Sequence, residues 1–266
     1  MRLRDKVAMV VGGGQSPGET IGNGRATAML FAREGAKVLV VDRDLASAEE
    51  TVAMIAAEDG EAAACQADVT DEATLAAAVA DCTGRWQRLD ILHNNVGISI
   101  AGNDAPVTEI TVEAFDHCVA VNLRGMVLAC KHALPVMRQQ QSGSIINISS
   151  LAAWSLYPLV AYKTTKSAVI ALTEQLAAQN AQYGVRANVI LPGLMDTPMA
   201  VDTRVAATGK SRQEIKAERD ARVPLGGLMG TAWDVAQAAL FLASDEAGFI
   251  TGAALPVDGG SSVQVG

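Results

Sequence analysis

The side chains best suited to chemistry lie close together in the chain: the hydroxyls of Ser149 and Ser150, the phenol of Tyr162 and the ammonium of Lys166. Ser149 and Ser150 close an apolar run, Ser144-Ile145-Ile146-Asn147-Ile148, that reads as a buried strand. Tyr162 opens an apolar-periodic stretch that reads as a helix over 162–182, ended by Gly184. A spacing of four puts Tyr162 and Lys166 one turn apart on one helix face. A phenol and an ammonium on one face, opposed by a serine, can move a proton at a secondary alcohol. A free phenol, with a pKa of about 10, is a weak base at neutral pH. A fixed positive charge beside it favours the phenolate and lowers that value. Tyr-x-x-x-Lys is a weak pattern taken alone, so its meaning depends on the elements that position it.

Those elements alternate. Residues 6–11 form a short apolar run that fits a buried parallel strand. A glycine-rich loop follows, from Gly12-Gly13-Gly14-Gln15 through Gly18 to Gly22-Asn23-Gly24-Arg25, and then a helical pattern carried by Ala26, Met29, Leu30 and Ala32. Residues 38–41 are a second buried strand, ending at Asp42 with Arg43 behind it. Strand, glycine loop, helix, strand and acidic residue is the layout of a dinucleotide site. Glycines let the backbone approach a pyrophosphate, and the helix N-terminus supplies N–H donors. The loop lacks the Gly-Lys-Ser/Thr ending of a nucleoside-triphosphate loop. A carboxylate at Asp42 can accept bonds from a ribose and repels a 2′-phosphate, which favours NAD over NADP; Arg43 weakens that preference slightly.

Further on, helices are expected over 46–58, 71–86, with Asp71 as cap, and 112–139, the last carrying Asn122 in its interior and bent or ended by Pro135. Asn is a poor mid-helix residue, which marks out Asn122. Strands are expected over 62–67, closed by Asp68-Val69, over 89–93, followed by Asn94-Asn95-Val96-Gly97, over 185–191, closed by Pro192-Gly193, and over 253–257. A helix over 231–243 starts at Thr231. Between them lies a long polar segment, 194–230, beginning Leu194-Met195-Asp196-Thr197, whose length suggests a substrate lid. Its mixed charges read more as a solvated helix face than as an anion clamp.

The alternation predicts an α/β fold: a doubly wound, Rossmann-like parallel sheet with helices on both faces, in one domain over 1–266. Ligands of such folds bind beyond the carboxyl ends of the strands. Gly12, Asp42, Asp68, Asn95, Ser150, Pro192 and Thr197 all follow strands, so one cleft would collect them.

Half of the 266 residues are apolar, which allows a substantial core. The net charge of −8 makes nonspecific nucleic-acid binding improbable. No apolar run is long enough to span a bilayer and no secretory segment opens the chain, so membrane association is not expected and a cytoplasmic location is. Cys65, Cys82, Cys118 and Cys130 form no Cys-x-x-Cys pair, and His93, His117 and His132 are scattered, so no metal site is expected.

The chain resembles the short-chain dehydrogenases/reductases of the small single-domain type over essentially its full length. The resemblance rests on the 12–24 glycine loop, Asp68-Val69, Asn94-Asn95-Val96-Gly97, Asn122, Ser150, Tyr162-x-x-x-Lys166, Pro192-Gly193 with Thr197, and the ending Thr251-Gly252 to Val257-Asp258-Gly259-Gly260. It implies an oxidoreductase interconverting a secondary alcohol and a ketone, with Tyr162 as general acid/base. Lys166 would hold the nicotinamide ribose and lower the phenol's pKa, Ser150 would orient the substrate oxygen, and Asn122 would hold a relay water. It also implies that Val69 and Asn95 border the adenosine of NAD, that Met195 and Thr197 contact the carboxamide, and that Asp68, Gly97, Pro192 and Gly193 belong to the cofactor site. The family's Thr-Gly-x3-Gly-x-Gly loop is altered here. Val11 replaces the threonine, and the loop is six residues longer if Gly12, Gly22 and Gly24 are its glycines; Gly18, Gly22 and Gly24 is the other register. Ser149 rivals Ser150. A homo-oligomer, tetramer or dimer, is implied, pairing helices near 112–139 and 161–182. A small sugar, polyol, cyclic diol or hydroxy acid could be the substrate, with Ala152, Trp154 and Tyr157 as its wall. A catalytically silent dinucleotide-binding regulator is the alternative. A sugar-nucleotide epimerase or dehydratase shares Tyr-x-x-x-Lys but resembles longer chains.

Overall fold

A computed structural model describes residues 1–263. Seven strands form one sheet: β1 (Val7–Val11), β2 (Lys37–Asp42), β3 (Ala62–Gln66), β4 (Ile91–Asn94), β5 (Gly143–Ile148), β6 (Val185–Pro192) and β7 (Ala254–Val257). They lie in the order β3-β2-β1-β4-β5-β6-β7 and every pair is parallel. The winding direction reverses between β1 and β4, and Val11 is level with both Val41 of β2 and Asn94 of β4. That reversal opens a crevice beyond the carboxyl ends of the strands, the usual ligand position in this architecture.

The helices cover both faces because the strands are apolar on both. Alternate residues point to opposite sides. Ala8 and Val10 of β1 join Val38 and Val40 in a core with α1 (Asn23–Arg33) and α9 (Ala232–Ala243). Met9 and Val11 join Leu39 and Val41 in a second core with α3 (Glu72–Trp86), α5 (Gly125–Gln140) and α6 (Val160–Asn180). Alanines at Ala26, Ala129, Ala133, Ala236 and Ala239 keep helix and sheet backbones close. α2 (Leu45–Ala56) flanks β2 and β3, and its N-cap is the side chain of Asp44.

Three features depart from the sequence expectation. The helix expected over 112–139 is α4 (Val112–Val119) and α5 joined by a π turn, Ala120–Arg124, with Asn122 at its centre. One wider turn re-aims a side chain without ending the helix, a geometry common at functional sites. The helix is neither ended nor stopped at Pro135: α5 runs on to Gln140, because Ala133 and Met137 on either side are packed in the core. Segment 194–230, expected as a long polar connection, has a core of its own. It folds α7 (Asp202–Thr208) and α8 (Arg212–Asp220) around a small apolar cluster of Val201, Ile215, Val223 and Met229. Ser211 and Glu214 form a capping box at the start of α8.

Among the described residues no helix is long and apolar enough to cross a membrane.

Candidate active site

Tyr162 lies in the first turn of α6, where backbone N–H groups have no helical partner. The residue at the N-cap, Leu159, has no side-chain acceptor. The carboxylate of Asp104, 8% exposed, does that work from another part of the chain, accepting from the N–H of Ala161 at 2.9 Å and of Tyr162 at 2.8 Å. The N–H of Val160 donates to the Ala105 carbonyl at 3.0 Å. The segment after β4 thus fixes the start of α6 and, with it, the direction of the phenol.

The carboxyl end of β5 and α6 are tied reciprocally. Lys166 Nζ donates to the Ile148 carbonyl at 2.8 Å, and Ser149 Oγ donates to the Lys166 carbonyl at 2.6 Å. Ser149 is buried and spent in this bond. Ser150 is half-buried, lines the cleft with Tyr162, and its Oγ accepts from the N–H of Ala152 at 3.2 Å. Lys163 braces the turn that follows, Leu151–Ala153, by donating to the carbonyls of Ala152 at 3.1 Å and Ser155 at 2.6 Å. Asn122, fully buried behind the cleft, accepts from the N–H of Ile98 at 2.7 Å. Its amide donates to the Ile98 carbonyl at 2.9 Å and to Thr165 Oγ1 at 3.2 Å. The π turn therefore lets Asn122 lock the strand that leaves β4 against α6. Gly97 leaves room for the lysine: a Cβ there would lie 2.9 Å from Lys166 Nζ.

Burial dominates both titrating groups. It lowers Lys166 from an ordinary 10.5 to about 7. It pushes the Tyr162 phenol up to about 12, opposed by the nearby Ser150 hydroxyl, reinforced by Tyr157 and opposed again by the Arg204 charge. The expected lowering of the phenol by Lys166 is therefore not seen in the chain alone. Lys166 Nζ stands 5.7 Å from the phenol ring centre and is committed to Ile148. The two shifts act oppositely on stability. The lysine binds its proton less well when folded, so its burial costs stability below about pH 7, and stability rises from there towards pH 10.5. The phenol binds its proton better when folded, so stability falls as pH rises from 10 towards 12.

A cleft of about 390 Å³ runs across the strand ends. Its lining includes Gly12, Gly22, Asn23 and Gly24, with Asp42 and Arg43 at the end of β2, Asp68 and Val69 after β3, and, after β4, Asn95 and then Gly97 beside Lys166. It also includes Ser150, Tyr162 and Lys166 beyond β5, and Pro192, Gly193, Met195 and Thr197 at and beyond the end of β6. Gly12 has a left-handed φ of 81° and donates to the Val41 carbonyl at 2.8 Å. Gly24, in the first turn of α1, faces the Gly12 carbonyl so closely that any Cβ would collide with backbone. Asn95 Nδ2 donates to that same carbonyl at 3.0 Å. Gly22 is the N-cap of α1. Gly18 lies away from this turn, against Pro198 and Asp202.

The extra loop residues have partners that sequence reading missed. Gln15 closes the loop on itself, its Oε1 accepting from the Gly22 N–H at 2.9 Å. Asp42 accepts from the N–H groups of Gly14 and Asp44, each at 3.1 Å. Arg212 joins the loop to segment 194–230: it bonds Thr20 Oγ1 at 3.2 Å, Asp196 at 2.5 Å and Asp202 at 3.1 Å, with Glu19 at 3.7 Å. Nothing local in the sequence announces Asp104 or Arg212, because each acts on elements distant in the chain. Tyr157, read as wall or interface, packs against Tyr162 with ring centres 5.4 Å apart and the rings tilted by 42°, and pairs with Ser99 Oγ at 3.3 Å. Trp154 is half-exposed.

The groove suits a dinucleotide. The first turn of α1 carries no acid, and Asn23 Oδ1 is buried in the cleft lining without a hydrogen-bond partner. A buried orphan acceptor costs stability until something donates to it.

Comparison with known proteins bears on the family and the fold. A family model described as enoyl-(acyl carrier protein) reductase matches residues 19–262. The chain is 38% identical to 2,5-dichloro-2,5-cyclohexadiene-1,4-diol dehydrogenase LinX of Sphingobium indicum, covering 99% of each chain. It is 35% identical to levodione reductase of Leifsonia aquatica, covering 98% of this chain and 96% of that one. A crystal structure of levodione reductase superposes with a TM-score of 0.92 at 34% identity, covering 99% of this chain and 100% of that one. A Burkholderia xenovorans structure assigned to the short-chain dehydrogenases/reductases gives 0.91 at 42% identity, covering 100% and 99%. The chain belongs to the short-chain dehydrogenase/reductase family.

Removing the Asp104 carboxylate tests how α6 is positioned. Asp104→Ala leaves two buried N–H groups without an acceptor, an expected loss of about 1–3 kcal/mol in urea unfolding. Asp104→Asn keeps one of the two acceptor oxygens and turns an NH2 towards the other N–H, so it should recover only part of the loss. Equal stability of Asp104→Ala and the parent would contradict this role.

Proposed function

We propose that the chain catalyses the NAD-dependent interconversion of a secondary alcohol and a ketone on a small molecule. The observation that carries this reading is the meeting of Tyr162, Ser150 and Lys166 in one cleft with Asp42 and the N-terminus of α1. Two relatives named above act, by their names, on a cyclic diol and on levodione, which supports alcohol and carbonyl chemistry.

The glycine turn at Gly12, Gly22 and Gly24 and the N–H groups of α1 would hold the pyrophosphate. Asp42 would accept from the adenosine ribose, Val69 and Asn95 would border the adenosine, Met195 and Thr197 would contact the carboxamide, and Arg43, Asp68, Gly97, Pro192 and Gly193 would complete the cofactor site. When bound, the nicotinamide supplies the hydride acceptor or donor. The remaining work belongs to the chain. Ser150 holds the substrate oxygen beside the phenol. Tyr162 gives that oxygen a proton in carbonyl reduction and takes one in alcohol oxidation. A phenol raised to about 12 is fully protonated at neutral pH, so it is a ready acid. For oxidation it must first release that proton, and Lys166, at about 7, can gain or lose one near neutrality. Asn122 holds the Ile98 backbone and Thr165 in place and positions this relay. Segment 194–230 covers the substrate side as a lid on a single dinucleotide-binding domain. A cytoplasmic homo-oligomer is part of the same reading, supported by the exposed apolar face of Val112, Phe115 and Val127 on α4 and α5.

Tyr162→Phe should lower turnover by about 10²–10⁴-fold while NAD binding persists, checked by reduced-cofactor absorbance and fluorescence titration; turnover near the parent level would refute the assignment. Asp42→Ala should lower the ratio of kcat/KM for NAD over NADP roughly ten-fold, the loss of about one charge-assisted hydrogen bond. An unchanged ratio would remove Asp42 from cofactor selection.

A further inference from the structure

In the sheet, β4 and β5 lie between β1 and β6, so the chain after β1 and the chain after β6 leave the rim about three strand spacings apart, roughly 14 Å. They meet nonetheless. Gly18 of the lengthened glycine loop fits so tightly against the later segment that a Cβ on it would lie 2.7 Å from Pro198 Cβ and 2.3 Å from Asp202 Oδ2. Ser16 and Pro17 on one side of this join, and Pro198, Met199 and Ala200 on the other, line the same cleft. Asn95 and Ser150, which follow the two intervening strands, line it too. Loop and segment therefore join across the rim beyond β4 and β5.

Arg212, in the first turn of α8, fastens the join. Its Nη2 donates to Thr20 Oγ1 at 3.2 Å and to Asp196 Oδ1 at 2.5 Å, and its Nε donates to Asp202 Oδ1 at 3.1 Å. Glu19 stands 3.7 Å away. One guanidinium thus holds two residues of the loop and two of the segment. Arg212, Asp196 and Asp202 are half-buried, where charge-assisted bonds hold better than between exposed side chains. The loop side of the join is itself braced, because Gln15 Oε1 accepts from the Gly22 N–H at 2.9 Å. The solvated helix face expected of segment 194–230 is present at Lys210 and Arg222, which are exposed, and absent at Arg212, which turns inward.

Resting on the dinucleotide-dependent reading above, we propose that Arg212 is a positioning residue that fastens residues 15–20 to residues 196–202 as a strap across the dinucleotide groove, and that the dinucleotide enters and leaves only when this strap parts. A strap across the groove opposes entry and exit alike. Weakening it therefore speeds both and changes affinity little. A residue that merely shaped the binding surface would act otherwise: its loss would speed exit, leave entry as it was, and weaken affinity.

The test follows association and dissociation of NADH and of NADPH with the full chain by stopped-flow fluorescence. Two substitutions attack the join from opposite sides. Arg212→Gln removes the charge. Gly18→Ala wedges loop from segment without changing any charge, and Gly18 is not in the left-handed region, so alanine adds no backbone strain there. Arg212→Gln should raise both rate constants about ten-fold, the scale of one charge-assisted bond, while Kd stays within about three-fold of the parent. Gly18→Ala should shift both rates in the same direction, and Arg212→Lys should lie between Arg212→Gln and the parent. Rates unchanged in both Arg212→Gln and Gly18→Ala would overturn the proposal. Faster dissociation with unchanged or slower association would overturn it as well, since that is a lost binding surface. Failure of the parent chain to bind either dinucleotide would sink the dehydrogenase reading and the strap with it, whereas dinucleotide binding with turnover, at rates indifferent to both substitutions, would sink the strap alone.

Discussion

The site depends on one costly placement: a lysine ammonium taken almost completely out of water with a single backbone carbonyl as its partner. Lys166 is 2% exposed, and the Ile148 carbonyl at 2.8 Å is its one hydrogen-bond acceptor. Burial without a carboxylate favours the neutral amine, and this moves the group's titration to the neutral range. Much of the surrounding structure holds that placement. Ser149 ties β5 to the Lys166 backbone, Gly97 leaves space at the amine, and Asn122 in its π turn keeps the strand end and α6 together. Asp104 sets the start of the same helix.

The cleft is also coupled along its length. The lengthened glycine loop does not hang in solvent. It is closed by Gln15 and reaches segment 194–230 through Gly18 and Arg212. The residues after β1 and those after β6 therefore share one ion-pair network, so loop and segment are mechanically linked. Such a network is worth more than isolated surface pairs because Arg212 and Asp196 are both largely buried.

The fold was legible because its signal is local and repeated. Runs such as 38–41 and 144–148 are apolar on both faces, and each is followed by a turn residue, which defines a parallel sheet covered on both sides. The chemical residues were legible for a related reason: Asp42, Asn95, Ser150 and Thr197 all follow strand ends, and strand ends meet at one rim. What remained hidden involves contacts between distant segments. Asp104 is an unremarkable loop acid until α6 lands on it. The π turn at Asn122 leaves no mark beyond an awkward residue in a helix. Segment 194–230 looked polar because its small core draws on widely spaced residues, Val201, Ile215, Val223 and Met229. The protonation of the phenol could not be read from spacing, because burial, which spacing does not report, governs it.

The most direct test is a titration of Lys166 itself. In protein carrying 13C-labelled lysine, the Cε resonance of Lys166, assigned by its loss in Lys166→Met, is followed from pH 5 to 11 in the free chain. The account predicts a midpoint near 7. A midpoint near the ordinary lysine value of 10.5 would show that the ammonium is not held out of water, and the protonation scheme built around it would fail.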